Sequence, residues 1–302
     1  MTKELLLEKL KTHYGYASFR PQKEAILHHV LEGKDPIVLM PTGGGKSLCY
    51  QIPALFLEGL TLVVSPLIAL MKDQVQALVA NGIPAAYLNS SLTGAQEQEV
   101  RHALDHGVMR LLYVSPEKIF SPNFIDLLSL WSVQLIAIDE AHCVSSWGHH
   151  FRPEYQRLHL LKKRFAQVPM IALTATADKA VRSDIGELLG MQTPKTFIAS
   201  FDRHYLSLSV LPGQKKWEQI LRLVRQYPNQ SGIIYCSSRK STESLATKLK
   251  QANIKAACYH AGMLTRIKEN VQDAFIEGDV DVICATIAFG MGIDKSDGRY
   301  VI

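Results

Sequence analysis

The sequence predicts an α/β protein built as two parallel-sheet domains, the second incomplete. From about Pro36 onward, short β-branched runs alternate with amphipathic helical stretches. The alternation restarts after a polar break at residues 200–205, and the chain ends on Tyr300-Val301-Ile302, an apolar run that reads as the opening of another strand. Continuous apolar strands separated by helices imply a parallel sheet covered on both faces, because each crossover helix lies against the sheet it connects. A length of 302 residues also exceeds what a single core usually organises.

Residues 1–199 form the first expected domain, with strands at Ile37–Met40, Leu60–Ser65, Leu111–Ser115, Leu135–Asp139 and Met170–Leu173. Helical periodicity fills Lys46–Leu57, Leu67–Ala80, Gly94–Leu104 and Arg157–Phe165. Residues 200–205 are the linker candidate. The second domain, 206–302, reads as strands at Leu206–Leu211, Gly232–Cys236, Ala256–Tyr259 and Val280–Ala285. Helices at Lys216–Gln226, Ser241–Ala252 and Leu264–Glu277 separate them. A sheet that stops inside a strand has not finished covering its faces, hence the expectation of an incomplete second domain.

Composition narrows the class. Hydrophobic content of 47% and charged content of 20% are ordinary for a globular protein. The net charge of +5 is compatible with a polyanionic partner without requiring one. Cys49, Cys143, Cys236, Cys258 and Cys284 form no C-x-x-C pair and no ligand spacing, so neither a zinc site nor a disulfide framework is expected. Such cysteines suit a reducing compartment. The leucines of Met1 to Leu10 are interleaved with acids and bases, unlike a signal peptide. The longest apolar stretch, Thr61 to Met71, is too short for a bilayer. A cytoplasmic protein with no membrane partner is the expectation.

Two motifs carry chemistry. Strand Ile37–Met40 runs into Pro41-Thr42-Gly43-Gly44-Gly45-Lys46-Ser47 and then a helix. Consecutive glycines let several N–H groups face one hollow at the positive end of that helix. Lys46 supplies a mobile charge for the β- and γ-phosphates, and the Ser47 hydroxyl is a ligand for Mg²⁺. Met40 stands where the general phosphate-loop pattern has its first glycine. Strand Leu135–Asp139 leads into Asp139-Glu140-Ala141-His142. A carboxylate at the end of a neighbouring parallel strand faces the same crevice as the loop. Asp139 is placed to hold Mg²⁺ and Glu140 to deprotonate the water that attacks the γ-phosphate. His142 reads either as a structural histidine bridging loops or as a sensor of that phosphate.

Read together, Met40–Ser47 and Asp139–His142 resemble superfamily 2 helicases, and residues 139–155 resemble the acidic motif and aromatic-rich loop of RecQ-family DNA helicases. Further matching pieces follow in family order. They are Phe19-Arg20-Pro21, Ser65 to Gln74, Leu173 to Ala177, Gly232 to Cys236, Tyr259 to Gly262 and Ala285 to Lys295. The resemblance spans nearly the whole chain. It implies two RecA-like lobes, ATP and Mg²⁺, and 3′-to-5′ unwinding of DNA in repair and recombination, with single-stranded and forked duplex DNA as partners. It assigns Tyr16, Arg20, Lys23, Thr42, Gly43, Gly44, Gly45, Lys46 and Ser47 to the nucleotide. Thr174 and Thr176 are assigned to coupling. Ser65, Pro66, Leu67, Trp147, Phe151, Arg152, Ser237 and Arg239 are assigned to DNA. Stacking faces and a guanidinium suit bases and phosphates.

The sequence departs from the family at four places. Lys23 occupies the position of the adenine-reading glutamine, and Gln22 sits one place early, about 100° round a helix. A lysine has only donors, whereas a glutamine amide both donates and accepts. Ser146 and His150 replace the usual Gln and Asp, and residues 295–298 lack the usual proline and branched residue. The family's arginine-finger motif falls beyond Ile302. Such a finger is worth roughly 10³–10⁵ in rate, so weak ATP binding with very slow hydrolysis is the expectation for these residues alone. An RNA-directed motor and a non-catalytic nucleic-acid-binding remnant stay open as alternatives.

Overall fold

The computed structural model describes residues 2–66, 68–89, 91–147, 151–200, 206–286, 289, 295 and 297–302, apart from the side chains of Ala69 and Thr265. The chain divides into two compact units, Met1–Leu206 and Ser207–Ile302. Residues 201–205 of the expected linker lie outside the described residues.

The first unit opens with α1 (Lys3–Tyr14) and α2 (Lys23–Leu31), then β1 (Pro36–Leu39), α3 (Leu48–Ala54) and β2 (Leu60–Val64). It continues through α4 (Ile68–Ala80), β3 (Ala85–Leu88), α5 (Gly94–Asp105) and β4 (Leu111–Val114). Next come α6 (Pro116–Ile119), α7 (Phe124–Leu130), β5 (Val133–Ile138) and a 3-10 turn at Ala141–Val144. The unit closes with α8 (Pro153–Gln156), α9 (His159–Arg164), β6 (Met170–Thr174), α10 (Lys179–Leu188) and β7 (Lys195–Ile198).

The strands form a seven-stranded sheet in the order β3-β4-β2-β5-β6-β1-β7, and the recorded pairings are parallel. Its two faces are two separate apolar layers. Ile37, Leu39, Leu62, Val64, Ile136 and Ile138 enter one cluster, while Val38, Met40, Val63, Leu135 and Ala137 enter the other. The period of two along each strand divides every run between the layers, which explains why these strands are apolar along most of their length. Burial of each Val, Leu, Ile or Met side chain among them contributes about 1.5–3 kcal/mol.

Helix starts follow local chemistry. Thr93 and Gln96 form a reciprocal capping box at α5, and the Asp178 side chain accepts from Val181 N at α10. Strands β3 and β7 were not anticipated. β3 is the two-alanine segment Ala-Ala-Tyr-Leu, and β7 is an edge strand with three exposed residues of four, so neither shows the continuous apolar run of the central strands.

The second unit comprises α11 (Lys216–Gln226), β8 (Ser231–Tyr235), α12 (Arg239–Gln251), β9 (Ala256–Tyr259), α13 (Thr265–Glu277), β10 (Val282–Ala285) and β11 (Gly298–Val301). Its described strands form a parallel sheet in the order β11-β8-β10-β9. The expected strand Leu206–Leu211 is corrected: residues 206–211 have no regular structure and are exposed, with Leu208 93% and Val210 100% accessible. The apolar/polar alternation is present, but no sheet ladder among the described residues takes this backbone, and a strand does not exist without its pair.

Candidate active site

Strands β2, β5, β6 and β1 are consecutive in the sheet, so their carboxyl ends deliver residues 40–47, Ser65, Asp139 and Thr174 to one edge. Ladder bonds continue past the strand ends: Met40 N donates to Thr174 O at 3.2 Å and Asp139 N to Val64 O at 2.9 Å. This is the edge at which parallel α/β sheets bind ligands.

The phosphate loop needs its glycines at these positions. Gly43 and Gly45 lie at φ +74° and +73°, the left-handed region that costs other residues about 1–2 kcal/mol. A Cβ on Gly44 would lie 2.7 Å from Pro41 O. Lys46 Nζ donates to Met40 O at 3.2 Å. Ser47 precedes α3 without capping it and is hydrogen-bonded to the Tyr50 hydroxyl. Thr42 and Gly43 are exposed, and the rest of the loop is half-buried.

A buried polar network supports this loop. Tyr50 and Tyr113 hydroxyls are 3.2 Å apart. Gln51 Nε2 donates to Tyr113 Oη and to Gln74 Oε1, each at 3.1 Å, and Tyr14 Oη donates to Gln51 Oε1 at 3.1 Å. These residues escaped sequence reasoning. The available signal was a tyrosine–glutamine pair inside an otherwise apolar buried helix.

Asp139 is fixed through its backbone. Tyr155 Oη donates to Asp139 O at 2.9 Å, and Glu140 N donates to Asp139 Oδ1 at 3.0 Å. Glu140 adopts φ +48°, which turns the chain sharply out of β5 and sets two carboxylates side by side. Burial, and then the Glu140 charge, push the Asp139 carboxyl up to about 7, against the pull of Lys46 and His142. His142 Nδ1 lies 2.8 Å from Thr174 Oγ1 and 3.3 Å from Glu140 Oε2. Burial lowers the affinity of this imidazole for its proton, but Cys143 and Glu140 outweigh it and raise His142 to about 9. Thr174 is buried, and its Oγ1 donates to Thr176 O at 3.1 Å; Thr176 is exposed.

The aromatic loop leaves the same edge. Trp147 is 78% and Phe151 39% exposed. Ser145 Oγ donates to Asp184 Oδ2 at 2.6 Å and accepts from Trp147 N at 3.2 Å. Arg152 Nη1 donates to Pro66 O at 3.2 Å, which brings two residues assigned to DNA together. Ser65 is buried, and its hydroxyl has no hydrogen-bond partner among the described residues. Leu67 and His150 lie outside the described residues.

On the N-terminal side, Tyr16 is exposed. Arg20 Nη1 donates to Gly43 O at 2.6 Å and Lys23 Nζ to Gly45 O at 2.5 Å. Gln22 does not turn toward the loop; its Nε2 donates to Ile198 O at 2.8 Å. In the second unit, Ser237 and Arg239 are exposed between β8 and α12, where Ser238 caps the helix. Arg239 packs over Gly262, at which a Cβ would approach its Nη1 to 2.9 Å.

A phosphate loop on β1 and an acid pair after β5, on one edge of a parallel sheet, define a phosphate-loop α/β protein. Residues 20–183 match the DEAD/DEAH box helicase family and residues 215–302 the helicase conserved C-terminal domain. The chain belongs to the DEAD/DEAH box helicase family. It is 51% identical over 300 residues to the ATP-dependent DNA helicase RecQ of Pasteurella multocida, covering 99% of this chain and 48% of that one. It is 45% identical over 300 residues to the RecQ-like DNA helicase BLM of Xenopus laevis, covering 96% and 22%. The chain thus spans about half the length of the bacterial relative. The structure of Mycobacterium smegmatis helicase Lhr bound to ssDNA and AMP-PNP shares the fold, with a TM-score of 0.72 and 21% identity, covering 98% of this chain and 43% of that one.

The donors at this edge suit Mg²⁺. Ser47 follows β1 and Asp139 follows β5, so both lie at the same edge of the sheet. They offer oxygen donors only, and Mg²⁺ takes one or two carboxylates plus phosphate oxygens. The residues fit. No cluster of three or more His, Cys, Asp or Glu side chains able to hold a metal occurs among the described residues. No helix among them is long and apolar enough to cross a membrane.

Proposed function

We propose that the chain is the nucleotide-hydrolysing part of an ATP-dependent, 3′-to-5′ DNA helicase of the RecQ kind, acting on single-stranded and forked duplex DNA in repair and recombination. The observation that carries this reading is the convergence of Lys46, Asp139, Glu140 and the His142–Thr174 pair at one sheet edge, in a chain 51% identical to a RecQ helicase.

In this reading the loop amides and Lys46 grip the β- and γ-phosphates. Ser47 and Asp139 would hold Mg²⁺, which would neutralise charge on the phosphate oxygens. Glu140 orients the attacking water and accepts its proton. His142 donates to Thr174 and links the acid pair to the end of β6, so that strain at either strand end is felt at the other. Trp147 and Phe151 offer faces to unpaired bases, and Arg152 a guanidinium to phosphate. Ser65, Pro66, Leu67, Ser237 and Arg239 are assigned to backbone contacts with DNA.

Fluorescence tests the DNA side. Adding a single-stranded DNA oligonucleotide quenches the exposed Trp147, and Trp147→Phe removes that component. An equal response to RNA of the same sequence directs the reading to an RNA motor instead. Failure of both to change the emission contradicts the assignment of this loop.

A further inference from the structure

Three cations converge on the phosphate loop, and one of them is buried. Arg20, Lys23 and Lys46 donate to Gly43 O, Gly45 O and Met40 O respectively. All three acceptors are backbone carbonyls, and none of the recorded ion pairs among the described residues supplies any of these cations with a carboxylate. Lys23 is the exceptional member, because it is only 3% exposed. A buried ammonium without a carboxylate is costly; burial pushes its pKa down, and Arg20 and Lys46 push it further. Among the described residues its three donors meet one acceptor, Gly45 O.

The ammonium lies directly against the loop backbone. Gly45 has no side chain, and a Cβ there would collide with Lys23 Nζ. The same glycine sits at φ +73° next to Lys46. Lys23 reaches the loop from the first turn of α2, so a charge from a separate element is held where a polyphosphate would lie. Neither Lys23 nor Gln22 is arranged to read a base. An ammonium cannot accept from a purine amino group, and the neighbouring Gln22 amide is tied to the end of β7.

We propose that Lys23 is a second phosphate-recognising ammonium beside Lys46, so that this site selects the triphosphate and discriminates little between bases. The inference rests on the nucleotide-binding reading above. A polyphosphate on the loop gives Lys23 an anionic partner and lowers the cost of burying its charge.

Calorimetric titration with Mg–ATP and Mg–GTP tests this on the 302-residue chain and on Lys23→Met, Lys23→Arg and Lys46→Ala. The wild type is expected to bind ATP and GTP within about fivefold of each other. Lys23→Met is expected to weaken both by the same factor, about tenfold, and Lys23→Arg to recover most of the loss. Preference of the wild type for ATP by about 100-fold overturns the proposal, and that measurement needs no variant to fold. Unchanged affinities in a folded Lys23→Met chain also overturn it and leave Lys23 a structural prop. Binding lost in Lys46→Ala but indifferent to Lys23 refutes this inference alone. No triphosphate binding by the wild type refutes the underlying reading as well.

Discussion

His142 Nδ1 stands 2.8 Å from Thr174 Oγ1, and this bond has a direction. Thr174 gives its hydroxyl hydrogen to Thr176 O, so the imidazole must be the donor. With Glu140 at 3.3 Å on the same nitrogen and a pKa raised to about 9, His142 is expected to be an imidazolium at neutral pH. Its ring resonances are expected to stay unshifted between pH 6 and 8 in an NMR titration. A midpoint near the ordinary histidine value contradicts this. Thr174→Val removes the acceptor and is expected to cost about 1–3 kcal/mol of stability in denaturant unfolding.

Asp139 gives a pH-dependent prediction. Its carboxyl titrates near 7 when folded and at an ordinary 3.8 when unfolded, so the native state holds the extra proton between those values. Stability from this group therefore falls as pH rises from about 4 to 7 and is constant above. The full shift corresponds to about 4 kcal/mol; the side chain keeps some contact with solvent, which brings the expectation down to about 2 kcal/mol. Without nucleotide or metal, Asp139→Asn is expected to be more stable than the wild type at pH 8 and equal to it at pH 4. A pH-independent difference contradicts the assignment. Removing the carboxylate also removes the proposed metal ligand, so the more stable variant is expected to bind Mg–ATP more weakly than the wild type.

The scaffold beneath the site has its own test. Asp35 Oδ1 accepts from Lys162 Nζ at 2.9 Å and from Met170 N at 2.8 Å, and Oδ2 accepts from Gln192 N at 3.1 Å. Both side chains of the ion pair are buried. Asp35→Ala leaves an unpaired ammonium and two bare N–H groups, and is expected to destabilise the first unit by about 3–5 kcal/mol. Lys162→Met leaves the two backbone donors on Asp35 and is expected to cost less. Equal and small effects from both substitutions sink this account of the pair.

Ser145 and Asp184 tie the aromatic loop to α10. Asp184→Ala frees the Ser145 hydroxyl that receives Trp147 N. Single-stranded DNA affinity is expected to fall about threefold to tenfold, with ATP affinity unchanged. A parallel loss of both in binding titrations would show that Asp184 supports the unit as a whole.

Legibility in the sequence followed the range of the interactions. The phosphate loop and the acid pair lie at ends of continuous apolar strands, so their common edge follows from local pattern and the geometry of parallel sheets. β3 and β7 lack that pattern, with two alanines in one and an exposed edge in the other. Residues 206–211 carry a strand's alternation, yet strand formation depends on a partner that pattern alone does not specify. The Asp35–Lys162 pair spans 127 positions, and Ser145–Asp184 joins separate elements; no periodicity reports such contacts. Lys23 stood out in the sequence as a departure, but its grip on Gly45 depends on how α2 packs.

The central claim is that Lys46 and its loop bind a magnesium-complexed triphosphate at the edge carrying Asp139. Equilibrium titration with Mg–ATP tests it most directly, using wild-type and Lys46→Ala chains whose unfolding curves coincide. Saturable uptake of one nucleotide by the wild type, weakened at least about 100-fold by Lys46→Ala, is the result expected. Equal affinities, or no uptake by a folded wild type, contradict the account.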